Sequence, residues 1–71
     1  MNLKQLRKSC LLTQGDVQGE TGIEQATLSK IENGVHSPQI PTLRKLAECY
    51  DVDYKVLLEA LAETRERSVK A

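Results

Sequence analysis

Seventy-one residues with ten Lys or Arg and ten Asp or Glu carry no net charge at pH 7, and Phe and Trp are both missing. That predicts one small domain with a core of Leu, Ile, Val and Ala, hiding only about 60% of the unfolded chain's surface. It argues against a non-specific binder of nucleic acid, which is usually basic, but not against a specific one, where the distribution of charge decides.

The first helix is expected from about Asn2 to Cys10. Asn2 can cap it, and Leu3, Leu6 and Cys10 form its apolar stripe, with Arg7 on the same side. The segment from Met1 to Lys8 is basic. Thr13 followed by Asp16 has the spacing of a capping box, so a second helix begins at Gln14. Its start, with unbonded N–H groups and the positive end of the helix dipole, suits a phosphate. Thr21-Gly22-Ile23 reads as a tight turn, because Gly22 can take positive φ without a Cβ clash. A third helix runs from about Gln25 to Asn33 and ends at Gly34. Glu24 stands at its N-cap, where Ser, Thr or Asp would serve better.

A loop from Val35 to Pro41 carries the lone His36, either a solvated residue or a phosphate contact. Pro41 is placed at the first position of a fourth helix, because Ile40 before it is biased away from helical geometry. The stripe of that helix is Leu43, Leu46, Ala47 and Tyr50, and Arg44 and Lys45 lie in its first half. Asp53 caps a fifth helix in which Tyr54, Leu57, Leu58 and Leu61 follow helical spacing. Leu57 and Tyr54 should turn inward. Val56 and Ala60 then lie on another face with Leu58 and Leu61 between, and such an apolar patch marks an association site, here a homodimer. Beyond Ala62 the chain is charged and is expected to fray, which divides it into a domain at 1–62 and a tail at 63–71.

The third helix carries the chemistry. Leu28 and Ile31 make an apolar back, and Gln25, Ala26, Ser29 and Lys30, with Asn33 just beyond, make an amide-rich front. Glutamine can pair with adenine through two hydrogen bonds, lysine can reach guanine, and an alanine methyl can touch a thymine methyl. Cys10 and Cys49 have no metal-ligand spacing and read as reduced, small apolar groups, or else as a disulfide or redox switch. His36 has no evident nucleophile or carboxylate partner, so no enzyme, cofactor or metal site is expected. No apolar run is long enough for a membrane span or signal peptide, which predicts a cytoplasmic protein.

Leu12-Thr13-Gln14, Thr21-Gly22-Ile23 and Leu28-Ser29-Lys30-Ile31-Glu32-Asn33-Gly34, with Pro38 four residues later, resemble the helix-turn-helix of the phage Cro and repressor family, the xenobiotic-response-element type. Thr42-Leu43, Leu46-Ala47, Val52 and Leu57-Leu58 fit that family's fourth and fifth helices, so the resemblance covers about Leu3 to Leu61. It implies an all-α, compact five-helix domain of the lambda-repressor-like DNA-binding type. It also implies that Arg7 pairs with Glu32 inside the domain, the alternative being a phosphate contact by Arg7.

In this reading Gln25, Ala26, Ser29 and Lys30 meet bases. Lys4, Lys8, Gln14, Asn33 and Arg44 hold phosphates, joined by His36 and by Thr27, whose hydroxyl can equally bond its own helix. The function implied is a transcriptional regulator, a repressor that occupies double-stranded DNA as a homodimer on a near-palindromic operator. The alternatives are a protein-interaction module, such as the antitoxin of a toxin–antitoxin pair, and a restriction–modification controller. A toxin or a polymerase subunit is then a possible protein partner. The chain departs from the family in Leu11, where a glycine is common, and in Gln18, where the family has alanine because the two helices approach closely. Gly15 and Gly19 also weaken the second helix, each costing up to about 1 kcal/mol against alanine.

Overall fold

Left-handed residues end the first four helices and set the path of the chain. The computed structural model describes residues 1–69, with side chains as far as Glu66. It contains α1 (Leu3–Ser9), α2 (Gln14–Thr21), α3 (Gln25–Glu32), α4 (Ile40–Cys49) and α5 (Tyr54–Val69). Positive φ occurs at Leu11 (60°), Gly22 (78°), Gly34 (74°) and Asp51 (53°), just after α1, α2, α3 and α4. At three of these ends the next residue bonds back across the last turn: Leu12 N–H to Arg7 O at 3.4 Å, Val35 to Lys30 at 2.9 Å and Val52 to Ala47 at 3.0 Å. These bonds satisfy carbonyls that a helix end leaves orphaned.

Only two of the four left-handed residues are glycines. Leu11 takes the conformation at a steric cost of about 1–2 kcal/mol, and it is 91% exposed, so its side chain recovers almost nothing by packing. Leu11→Gly is therefore expected to stabilise the domain by about 1 kcal/mol after the extra chain entropy of glycine is subtracted. Thermal unfolding should show a rise of roughly 4–8 °C. A lower midpoint would mean that Leu11 makes a contribution its exposure conceals.

The helix starts follow local chemistry. Asn2 and Gln5 form a reciprocal capping box, each side chain bonding the other's N–H at 2.8 Å. Thr13 and Asp16 form a second, at 2.9 and 3.0 Å. The Thr13 bonds, backbone first, hold the Asp16 carboxyl below the usual carboxylate range. Asp53 Oδ1 accepts from the N–H of Lys55 at 3.1 Å and caps α5. The start of α4 differs from expectation by one residue: Ile40 takes the first position and Pro41 the second. The N–H that proline lacks is still one of those that no helix start can bond within itself.

Leu3, Val17, Leu28, Ile31, Leu46 and Leu57 are the largest fully buried side chains, so every helix sends at least one into a single core. Packing of α2 on α3 and α4, and of α5 on α1 and α4, closes it. Tyr50 joins this core, and burial pushes its phenol well above the usual range. The fold is the all-α, five-helix arrangement read from the sequence.

The fifth helix departs from the reading twice. The boundary expected at Ala62 falls inside α5, which continues to Val69. Thr64 is buried, one turn beyond Ala60. Its hydroxyl accepts from the Leu3 N–H at 3.0 Å and donates to Ala60 O at 2.9 Å. The start of α1 needs an acceptor there, and α5 supplies it. The tail residues 70–71 lie outside the described residues. The second departure concerns the association patch over Val56, Leu58, Ala60 and Leu61. Ala60 and Leu61 are 3% and 7% exposed and belong to the core, while Val56 and Leu58 are 44% and 38% exposed. Ala60 lies three residues after the fully buried Leu57 and Leu61 four, so helical spacing carries both to the core side.

Both cysteines are free and half-buried. The Cys10 thiol meets Tyr50 O at 3.5 Å, and that of Cys49 meets Glu20 Oε2 at 2.9 Å. Burial first, and the Glu20 carboxylate second, push the Cys49 thiol up to about 12. It stays protonated at neutral pH and is a poor nucleophile. Among the described residues no group of His, Cys, Asp and Glu side chains is placed to hold a metal ion, and no helix is long and apolar enough to cross a membrane.

Candidate nucleic-acid interface

Eight residues make α3, and its two sides have different work. Leu28, Ile31 and Glu32 are buried. Gln25, Ala26, Lys30 and, just past the last turn, Asn33 are exposed, and Ser29 and Thr27 are half-buried. Residues three and four apart are neighbours on a helix surface. Gln25 therefore adjoins Ser29, and Ala26 adjoins Lys30, which adjoins Asn33, so the group forms one outward face. An α-helix with its side chains is about 10–12 Å across, which suits a DNA major groove about 12 Å wide.

The far end of α3 is fixed by a buried polar network. Arg7 Nε donates to Glu32 Oε2 at 2.7 Å, and a second guanidinium nitrogen donates to Oε1 at 3.2 Å. The third nitrogen donates to Leu12 O at 2.8 Å. Gln14 Nε2 donates to Glu32 Oε1 at 3.1 Å. One carboxylate thus joins the last turn of α1, the first residue of α2 and the last residue of α3. The bond to Glu32 outweighs burial and raises the Arg7 guanidinium above its ordinary value, so the charge is secure. Among the described residues no buried side-chain nitrogen or oxygen lacks a partner.

This geometry separates the sequence candidates. Arg7 is buried and its three nitrogens are committed inward, so the alternative of a phosphate contact by Arg7 falls away. Gln14 is half-buried and bonded to Glu32. An amide NH2 group has two N–H donors, so this bond leaves one for another acceptor. Lys4 and Lys8 on α1, Lys30 on α3, Arg44 on α4 and His36 after α3 are all exposed. None of the four Lys and Arg side chains has a carboxylate partner among the described residues. In a chain of zero net charge, these cations remain available to an outside anion.

One positioning group escaped the sequence reading. Glu24 at the α3 N-cap makes no side-chain cap bond. The N–H of Gln25 instead donates to Gln18 Oε1 of α2 at 2.9 Å. The available signal was a poor capping residue at Glu24, together with a long amide where the resembled family keeps alanine.

The Cro and repressor type of helix-turn-helix family includes this chain, whose residues 3–57 match the family's helix-turn-helix model. The chain is 41% identical over 59 residues to RghRB of Bacillus subtilis, an uncharacterised HTH-type transcriptional regulator; the match covers 82% of this chain and 42% of that one. It is 35% identical over 63 residues to y4dJ of Sinorhizobium fredii, also named an uncharacterised HTH-type transcriptional regulator, covering 89% and 82%. Antitoxin HigA1 of Mycobacterium tuberculosis is 35% identical over 54 residues, covering 76% and 36%. The chain thus spans less than half of RghRB and HigA1 but most of y4dJ. No solved structure gives a significant match.

Proposed function

We propose that the chain is a sequence-specific DNA-binding transcriptional regulator, a repressor that occupies a near-palindromic operator as a homodimer. The observation that carries this reading is the exposed face of α3, with its amide and lysine groups held in place from behind by the Arg7–Glu32–Gln14 network. Gln25, Ala26, Ser29 and Lys30 read base edges. Lys4, Lys8, Gln14, Asn33 and Arg44 hold phosphates and set register, with Thr27 and His36 at the margin. The two-fold contact is carried by α5. Leu58 is the better placed of its exposed apolar residues, one turn after the half-buried Tyr54. Val56, two residues away, points to a different side.

The roles are separable by experiment. Gln25→Ala should relax preference at one base pair and cost about 1–3 kcal/mol on the preferred sequence. Arg44→Ala should weaken all sequences about equally and flatten the dependence of affinity on salt. Equilibrium binding to an operator and to scrambled DNA over a salt series measures both. If Gln25→Ala discriminates between the two duplexes as the wild type does, the base-reading assignment is wrong.

A second reading, as the antitoxin of a toxin–antitoxin pair, is favoured by the likeness to HigA1. It adds a protein partner to the same DNA-binding surface. Its test is whether a neighbouring reading frame arrests growth when expressed alone and ceases to do so when this chain is expressed with it.

A further inference from the structure

We propose that Gln18 is a positioning residue for base reading: its side-chain carbonyl caps α3 from the neighbouring helix and so fixes Gln25 at the entrance to the groove. This role rests on the DNA-reading function proposed above and adds a residue of α2 to it.

The first turn of α3 lacks a side-chain cap from the residue before it. The first N–H groups of a helix have no partner within it. In α1 and α2 the residue before the helix supplies the acceptor, through Asn2 and Thr13. At α3 that place belongs to Glu24, whose backbone is extended (φ −59°, ψ 142°) and whose side chain makes no cap bond. Gln18 Oε1 accepts from the N–H of Gln25, the first residue of α3, at 2.9 Å. Gln18 is itself fixed at the other end of the turn, because its backbone carbonyl accepts from the N–H of Gly22 at 2.8 Å. One residue therefore terminates α2 through its main chain and begins α3 through its side chain.

Charge explains why a glutamine suits the place. A carboxylate would cap a helix start more strongly, because the dipole there is positive. This start also faces the DNA, where an added negative charge repels phosphate. An amide oxygen satisfies the N–H without that charge. The bond lies at the surface, so its contribution to folding is small. Its effect on Gln25 is not small, because a bidentate contact with adenine needs both atoms of the glutamine amide in place.

The test begins with duplexes selected from a random-sequence pool by the wild-type protein. Wild type, Gln18→Ala and Gln18→Glu are then measured on the selected site, on its single-base variants and on a scrambled duplex. Backbone amide exchange of Gln25 is followed by NMR in the free proteins. Gln18→Ala should keep its helical content and its affinity for scrambled DNA, expose the Gln25 amide to faster exchange, and lose about three- to tenfold of the preference at one base pair, part of the discrimination a good bidentate contact supplies. Gln18→Glu should keep the Gln25 amide protected and the base preference intact, while binding all duplexes more weakly. Unchanged exchange and base preference in Gln18→Ala would overturn the proposal, as would an equal loss on every duplex, which marks a backbone contact. If the wild type shows no base preference at all, the DNA-reading function fails and the positioning role with it; the exchange arm still reports separately whether Gln18 caps α3.

Discussion

Glu32→Ala is expected to destabilise the domain by about 3–5 kcal/mol, the range for removing one partner of a buried ion pair. The substitution leaves the Arg7 guanidinium buried without its carboxylate and takes an acceptor from Gln14. Small domains have total stabilities toward the low end of about 5–15 kcal/mol, so this variant should be largely unfolded at growth temperature. Arg7→Met with Glu32→Leu removes both charges and should lose much less than the sum of the single changes. Thermal unfolding followed by circular dichroism on the wild type, Arg7→Met, Glu32→Leu and the double variant gives the coupling directly. A value under about 0.5 kcal/mol, the range in which independent sites add, would show that the pair does not tie α1 to α3. The sign with pH is also set. A guanidinium raised above its ordinary value contributes fully at every pH below it, so this stabilisation is flat through the neutral range. The Asp16 carboxyl, held low by Thr13, contributes above its ordinary 3.8 and is lost as pH falls through its lowered value.

Leu58→Glu and Leu61→Glu should behave as opposites, although the two residues are neighbours on one helix. Leu61 is 7% exposed and sits in the core, so a glutamate there must enter the apolar interior or displace α5. The expected cost exceeds about 4 kcal/mol, enough to unfold a domain of this size. Leu58 is 38% exposed and should accept glutamate within about 0.5 kcal/mol. If α5 carries the two-fold contact, Leu58→Glu remains helical and loses concentration-dependent association in analytical ultracentrifugation. A folded Leu61→Glu variant would place that side chain outside the core. A Leu58→Glu variant that associates like the wild type would move the proposed interface elsewhere.

The fold was legible because its signals are local. An N-cap at Asn2, a capping box at Thr13, the glycines Gly22 and Gly34 on either side of α3, and apolar residues at helical spacing each speak within a few positions. The α3 front was legible for the same reason, since one helical face can be drawn from the sequence alone. What escaped depends on contacts between helices. Thr64 looks like part of a charged tail until the start of α1 is seen to need its hydroxyl. Gln18 looks like a misfit in a tight crossing until Glu24 is seen to leave α3 uncapped. On α5, apolar residues occur on several sides, and spacing without a partner helix does not say which side is covered. The structure covers the side of Leu57, Ala60 and Leu61.

The central claim is that the exposed face of α3 reads a DNA sequence. Footprinting of the wild-type protein and of Gln25→Ala on DNA from its own promoter region tests it most directly. The expected result is protection of a near-palindrome whose half-sites lie one helical turn apart, ~34 Å, with the protection lost in Gln25→Ala at the same concentration. Uniform or absent protection by the wild type at concentrations that saturate scrambled DNA would contradict it.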